Sequence, residues 1–203
     1  MSTSVPATPD PLPESARAVL EFWFGPGPTT PSVRARPEWF RKDPAFDARI
    51  RDRFGALVDE ALNGVLTGWP SPWGGLARIL LLDQFTRNAY RDTPRAFAGD
   101  PLALAGARRL VAAGADLAVP PVQRSFAYLP FEHAEDLAMQ DEAVRLFRRL
   151  ESVHPESANN RNYAERHRAV IAKFGRFPHR NAILGRTSTP DEIAFLATPG
   201  SSF

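Results

Sequence analysis

Helical periodicity, interrupted at intervals by proline and glycine, is the feature that most limits what this 203-residue chain can fold into. The first apolar stripe has the spacing of one α-helical face and consists of Ala16, Val19, Leu20 and Trp23. Residues 25–28 (GPGP) then form a stop signal, and stripes and breakers alternate in this way along the chain. No sustained alternation of apolar and polar residues bounded by hairpin turns occurs, so the sequence predicts an all-α fold.

Local signals mark where several helices begin. Aspartate followed by proline occurs at 43–44 and at 100–101, which is typical of a helix N-cap and the first helical position. Thr189 and Glu192 have the spacing of a capping box at the start of a short last helix. With the other stripes, these signals predict about eight helices, arranged as stacked antiparallel hairpins, although no strict repeat is visible.

The first 13 residues, MSTSVPATPDPLP, are polar and rich in proline, so residues 1–13 are predicted to be a disordered tail. They lack the basic start and the apolar run of a secretory signal. Residues 14–203 suit a single helical domain, because a chain of this length can bury a full core and 43% of its residues are apolar.

Charge and cysteine content exclude several classes of function. The chain has 25 basic and 23 acidic residues and no basic stripe interleaved with aromatics, so a nucleic-acid partner is not expected. The absence of cysteine excludes disulfides, thiolate chemistry and cysteine-ligated metals. The longest aliphatic run, Ile79 to Leu82, is too short to span a membrane. We therefore expect a cytoplasmic protein without a membrane partner.

Polar residues stand at core positions of the helix that is predicted to start, or to be kinked, at Pro130. Its inward face is predicted to carry His133, Asp136 and Gln140, because spacings of three and four place residues on one side of a helix. Glu132 lies on the flank of this face. The alternative interpretation of these residues is a solvated helix start.

Two further predicted helices place titratable groups among apolar residues. His167 lies in the middle of an apolar stripe, and Asp83 lies on an apolar face with Arg87 one turn later. Because buried charges require partners, the simplest arrangement pairs Asp83 with Arg87, and Asp136 with a histidine or an arginine. The structural alternatives are a satisfied core histidine at 167 and a helix-surface or interhelical ion pair at 83 and 87.

A loop near the C-terminus concentrates polar side chains. The segment FGRFPHRNAILGR carries Arg176, His179, Arg180 and Asn181 within six residues. Loops rich in such groups are often binding sites. The alternative is a loop that is held in place by its own side-chain hydrogen bonds.

Recognised catalytic and cofactor motifs are absent from the sequence. It contains no HExxH, G-x-S-x-G, P-loop, G-x-G-x-x-G or EF-hand pattern. Metal binding by histidine and aspartate is chemically possible, but no pair has a diagnostic spacing. We therefore predict no cofactor and no tightly bound structural metal. A charged substrate held by arginines, with histidine as acid or base, fits the composition equally well.

Long segments of the chain resemble the bacterial family called domain of unknown function 924, over about residues 19–196. They are LEFWF (20–24), WFRKDPAFDARIRDRF (39–54), LLLDQFTRNAYRDTPRAFAGD (80–100), FAYLPFEHAEDLAMQ (126–140) and HRAVIAKFGRFPHRNAILGRTSTPDEIAFL (167–196). The resemblance implies a helical fold similar to tetratricopeptide-repeat proteins, and it implies no activity. All of the polar candidate residues named above fall inside these segments. Their position there assigns them no functional role.

The first functional hypothesis is a pocket for a polar small molecule, in which catalysis could take place. His133 or His167 would carry a proton, with Asp136 as the orienting carboxylate. Arg87 and Arg180 would hold an anionic group of the ligand.

The alternative is a helical scaffold that binds a protein or peptide on its concave face without enzymatic activity. A peptide groove would spread polar and aromatic residues over several helices, whereas this sequence concentrates titratable groups. The pattern therefore favours the pocket, and it predicts that His133, Asp136, His167 and His179 or Arg180 converge.

Overall fold

The computed structural model describes residues 12–201, so most of the tail predicted at residues 1–13 lies outside the described residues. Helices account for 71% of the described residues, and none of these residues is in a strand. The all-α prediction is therefore confirmed. Among the same residues, no helix is long and apolar enough to cross a bilayer.

Eight helices follow one another along the described chain, as the stripes and caps predicted. They are α1 (Glu14–Phe24), α2 (Pro44–Leu62), α3 (Trp73–Ile79, Leu80–Phe85 and Thr86–Ala89 in continuous sequence), α4 (Asp100–Ala112), α5 (Pro121–Glu132), α6 (Leu137–Val153), α7 (Ala158–Phe174) and α8 (Pro190–Leu196). Each of α2 to α6 packs against the next helix in the chain, and α1 packs against α3. A closer likeness to tetratricopeptide packing stays a prediction.

The core is built on the apolar stripes that the sequence displays. Trp23 of α1 is fully buried, and its indole ring contacts Phe85 of α3 and Phe126 of α5 at centroid distances of 5.5 and 5.7 Å. A second, smaller apolar group joins the end of α7 to the loop that follows it, through Ile171 and Phe177. This loop is thereby held against the end of α7, close to several of the polar candidates.

The three predicted helix starts are confirmed, but the cap predicted at one of them, Asp100, is wrong. Asp43 caps α2 by accepting hydrogen bonds from the backbone amides of residues 45 and 46, and Thr189 and Glu192 form a capping box at α8. Asp100, by contrast, is the first residue of α4, and Gly99 occupies the N-cap position. The Asp100 carboxylate makes no cap because it is engaged by two arginines from other parts of the chain.

The helix predicted to begin near Pro130 is also wrong in its bounds. Helix α5 continues through Pro130 to Glu132, and α6 begins only at Leu137. Asp136 has an extended backbone, and its carboxylate accepts a hydrogen bond from the amide of Met139 at 3.0 Å. Asp136 is therefore an exposed N-cap, and the residues at 133, 136 and 140 do not share one helical face.

Candidate functional site

The middle of α3 changes from α-helical to π-helical geometry over Leu80–Phe85. The hydroxyl of Thr86 donates to the carbonyl of Leu82, and the amide of Asn88 donates to the carbonyl of Gln84, so side chains satisfy the altered backbone. Short π-helical segments inside α-helices are frequent at functional sites. This segment contains Asp83, which is the centre of the polar cluster.

Asp83 is completely buried, and three side chains surround its carboxylate. Oδ1 lies 2.6 Å from Nδ1 of His133 and 3.1 Å from Nη1 of Arg87, and Oδ2 accepts a 2.6 Å hydrogen bond from Gln84. Burial alone would raise the pKa of Asp83, but the Arg87 guanidinium and the His133 ring hold it well below its usual range. Asp83 is therefore ionised at neutral pH, and its predicted pairing with Arg87 is present.

Asp100 lies between two arginines and joins three parts of the chain. Arg87 donates to it through two nitrogens, at 2.6 and 3.0 Å, and Arg180 donates to it at 3.0 Å. Burial and the charge of Arg87 lower the pKa of Arg180 to about 10, so it keeps its proton at neutral pH. Two carboxylates, at 83 and 100, thus balance two guanidiniums.

His133 follows the last residue of α5, and its ring contacts Asp83 in the π-helical segment of α3. Because ionised Asp83 can only accept, Nδ1 of His133 carries the proton and donates it, which leaves Nε2 unprotonated. Among the described residues, none forms a hydrogen bond with Nε2. Burial and the charge of Arg87 lower the pKa of His133, which keeps the ring neutral, and 15% of its side chain remains exposed. Arg180 fixes the backbone here by donating to the His133 carbonyl at 3.0 Å.

Glu132, the residue before, is buried with its carboxyl next to His167 of α7. Its Oε1 lies 3.2 Å from Nδ1 of His167, and its Oε2 has no hydrogen-bond partner among the described residues. Burial, reinforced by the negative charge of Asp83, raises the pKa of Glu132 to about 8. Burial lowers the pKa of His167 to about 3, so both groups are uncharged at neutral pH.

The histidines of the cluster lie close together. The ring centroids of His133 and His167 are 6.3 Å apart, and Phe177 lies 5.5 Å from His167 and 5.6 Å from His179. Burial and the charge of Arg180 lower the pKa of His179 to about 4. The structure thus brings together four of the predicted residues, at 133, 167, 179 and 180, and leaves Asp136 outside.

Four predicted site residues serve the fold instead. Asp136 caps α6, and the Gln140 amide donates to the carbonyls of Glu132 and Ala134 at 2.6 and 2.8 Å, closing the end of α5. Arg176 and Asn181 both donate to the carboxylate of Glu192 and so fasten the loop to α8. The predicted pairing of Asp136 with a histidine or arginine is wrong, because the helix break turns Asp136 towards solvent.

Sequence reasoning missed two partners of the cluster. Asp100 has the same Asp-Pro signal as the true cap at Asp43, so nothing local separates their roles. Gln84 is buried and donates to Asp83, but an amide beside an aspartate has no distinctive pattern. Among residues 12–201, no group of three or more histidine, aspartate or glutamate side chains is arranged to hold a metal ion.

Comparisons with known proteins identify the family but no activity. A structure from Agrobacterium tumefaciens, described as the protein of unknown function ATU0120, is 41% identical, with a TM-score of 0.78. The match covers 90% of this chain and 96% of that one. No curated protein matches the chain. The family model described as "Bacterial protein of unknown function (DUF924)" matches residues 19–200. The chain therefore belongs to the DUF924 family of bacterial proteins, as the resemblance predicted.

Proposed function

We propose that the cluster around His133 binds a small polar molecule and transfers a proton to or from it. His133 is the base in this proposal, and Asp83 is the positioning residue that fixes its tautomer. The observation that carries the proposal is the 2.6 Å hydrogen bond between Nδ1 of His133 and Oδ1 of Asp83. A buried carboxylate that holds Nδ1–H leaves Nε2 as a basic atom in a defined direction.

The surroundings of His133 support a role as a base. The ring is neutral at physiological pH because burial and Arg87 outweigh the effect of Asp83 on its pKa. Solvent reaches the ring, since 15% of the His133 side chain is exposed, whereas Asp83 behind it has no exposure. A base must be unprotonated and reachable by its substrate, and His133 meets both conditions.

Glu132 is the proposed proton donor of the same cluster. Its carboxyl is protonated at neutral pH because its pKa is raised to about 8, while the carboxyl of Asp83 is ionised. Two neighbouring carboxyls whose pKa values are driven apart are typical of paired acid and base roles. The second oxygen of Glu132, which no described residue engages, could donate to a ligand.

The charge of the cluster bears on which ligand it would take. Arg87 and Arg180 both donate to Asp100, so they are less available to hold an anion than their sequence positions suggested. A neutral polar ligand therefore fits this site better than an anionic one. The peptide-scaffold alternative has less support, because the most exposed large apolar residues, Phe40, Val65, Val153 and Ile193, lie on separate elements.

The test removes one ring nitrogen of His133, Nε2, and keeps a nitrogen near the position of the other, Nδ1. His133→Asn places an amide nitrogen near the position of Nδ1, so the bond to Asp83 can persist while the basic Nε2 is removed. Native protein and this variant would be compared by thermal shift and calorimetry against hydroxy acids, carboxamides, sugars and nucleosides. We expect a ligand of the native protein to lose its binding or its turnover in His133→Asn.

The matched control is His154→Asn. His154 follows the last residue of α6, outside the cluster, and its ring lies 3.8 Å from exposed Glu156. Ligands should bind this variant as they bind the native protein. Equal binding and turnover by native protein and His133→Asn would overturn the proposal, as would the absence of any ligand at millimolar concentration.

A further inference from the structure

A separate cavity of about 280 Å³ lies between α3 and α4, bounded by the segment that precedes α3. Two arginines line it, Arg78 from α3 and Arg109 from α4. Trp69, Leu102 and Leu110 supply apolar surface. Pockets for drug-sized ligands span about 300–1,000 Å³, so this cavity suits a small metabolite.

Arg78 is the unusual residue of this cavity. It is only 9% exposed, and its Nε is buried without a hydrogen-bond partner among the described residues. Burial lowers the pKa of Arg78, and the positive charge of Arg109 lowers it further. A buried guanidinium nitrogen normally has a hydrogen-bond acceptor, because removal from water without one is unfavourable. The charged side chain that affects the pKa of Arg78 is instead a second cation, Arg109.

Arg180, in the loop after α7, is a buried arginine that has a counter-charge, although its Nε, like that of Arg78, has no hydrogen-bond partner among the described residues. It is 6% exposed and donates to Asp100 and to the carbonyl of His133. Among residues 12–201, no carboxylate forms an ion pair with Arg78 or Arg109. Asp100 therefore supplies a counter-charge for Arg180, whereas no described carboxylate supplies one for Arg78.

We propose that this cavity is a binding site for a small organic anion, whose carboxylate or phosphate oxygens lie between Arg78 and Arg109. The apolar part of the ligand packs against Trp69, Leu102 and Leu110. The planar guanidinium group is suited to both kinds of oxyanion. Thr67 and Ser71 also line the cavity, and their side chains carry hydroxyl groups that can form hydrogen bonds with a ligand.

The chain's own glycines favour an open cavity. Gly75 and Gly106 both line it, and a Cβ added at either would make only ordinary contacts, the nearest at 3.7 Å to Leu110 and 3.5 Å to Ile79. Because larger side chains are absent at these two positions, space remains beside Arg78.

The experiment measures binding of benzoate, phenyl phosphate, inorganic phosphate and neutral benzamide by calorimetry and thermal shift at low ionic strength. Benzoate or phenyl phosphate should bind with one-to-one stoichiometry, at least about tenfold more tightly than benzamide. Comparison of benzoate with phenyl phosphate shows whether the cavity prefers a carboxylate or a phosphate group. Weaker binding of inorganic phosphate than of phenyl phosphate would support the contribution of the apolar wall.

Substitutions then locate the site. Arg78→Met keeps an unbranched aliphatic side chain, removes the guanidinium and its charge, and should weaken binding by roughly 10–100-fold. Arg109→Gln, at an exposed position where folding is not at risk, should weaken it in the same direction. Arg108→Gln is the matched control, because Arg108 is exposed and next in sequence but does not line the cavity. His133→Asn should leave this binding unchanged, which separates the site from the proton-transfer cluster.

Stability in the absence of ligand gives an independent readout. Since Arg78 lacks a partner, Arg78→Met should keep or raise the melting temperature of the ligand-free protein. A fall of several degrees in that variant would mean that Arg78 stabilises the fold, and it would overturn the proposal. Unchanged anion affinity in both Arg78→Met and Arg109→Gln would also overturn it, as would the failure of both organic anions to bind at millimolar concentration.

Discussion

The imidazole Nδ1 of His133 lies 2.6 Å from Oδ1 of Asp83, although 50 residues separate the two in the chain. This bond joins the end of α5 to the π-helical segment of α3. Arg87 shares the same carboxylate oxygen, and Asp100 and Arg180 extend the network to α4 and the C-terminal loop. The stability of this network and the protonation of its members can be tested directly.

Glu132→Gln should change how stability depends on pH. Glu132 has a pKa of about 8 in the folded protein, against 4.5 as its ordinary value. Between these pH values the folded protein keeps a proton that the unfolded chain has released, so stability falls as pH rises. Glutamine cannot ionise, and the stability of the variant relative to native protein should therefore rise from pH 5 to pH 8, by about 3–4 kcal/mol. Urea unfolding at several pH values measures this difference.

The control for that series is Glu60→Gln, which changes an exposed glutamate of α2. Its free energy of unfolding should stay at a constant offset from native protein over the same pH range. A constant offset for Glu132→Gln as well would show that Glu132 ionises normally and would remove it as a proton donor.

Asp100→Asn should destabilise the protein strongly. Asp100 accepts hydrogen bonds from both Arg87 and Arg180, and its loss leaves two largely buried cations facing the single charge of Asp83. Breaking a buried pair in this way typically costs about 3–5 kcal/mol. Glu142→Gln, which removes the half-buried partner of the exposed Arg145, should cost less than about 1 kcal/mol. Denaturant unfolding of both variants compares them, and equal losses would contradict the central place given to Asp100.

Asp136→Ala should cost about 1 kcal/mol of stability without altering either proposed site. Its carboxylate accepts from the amide of Met139 at the start of α6 and touches none of the cluster. Asparagine is an equally good N-cap, so Asp136→Asn should stay within a few tenths of a kcal/mol of native protein. A variant at 136 that abolishes ligand binding at unchanged stability would restore its predicted role beside the histidines.

Gly99→Ala should destabilise the protein and disturb the cluster. A Cβ at Gly99 would lie 2.8 Å from the carbonyl carbon of Leu82, so the π-helical segment of α3 or the start of α4 must move. Such overpacking typically costs about 1–3 kcal/mol. Gly55→Ala in α2 is the control, because nothing lies within 4 Å of the added atom. That change should instead stabilise the helix by about 0.5–1 kcal/mol. Thermal unfolding measures both.

The helices could be predicted well from the sequence because their causes are local. Apolar spacing identifies the buried face of each helix, and a cap such as Asp43 bonds to amides two and three residues away. The sequence also identified where the titratable groups are concentrated. The prediction was wrong around Pro130. This proline is tolerated in the last turn of α5, and the break between the two helices lies at residues 133–136.

Apart from the pair of Asp83 and Arg87, which one helical turn brings together, only the tertiary structure decided which polar residues meet. Asp43, Asp100 and Asp136 all stand at helix starts, and local sequence offers each the same role as a cap. Asp100 became the centre of an ion-pair network because folding brings Arg87 and Arg180 to it from 13 and 80 residues away. Charge interactions depend on distance in space and on burial, and neither quantity is contained in the spacing of residues along the chain.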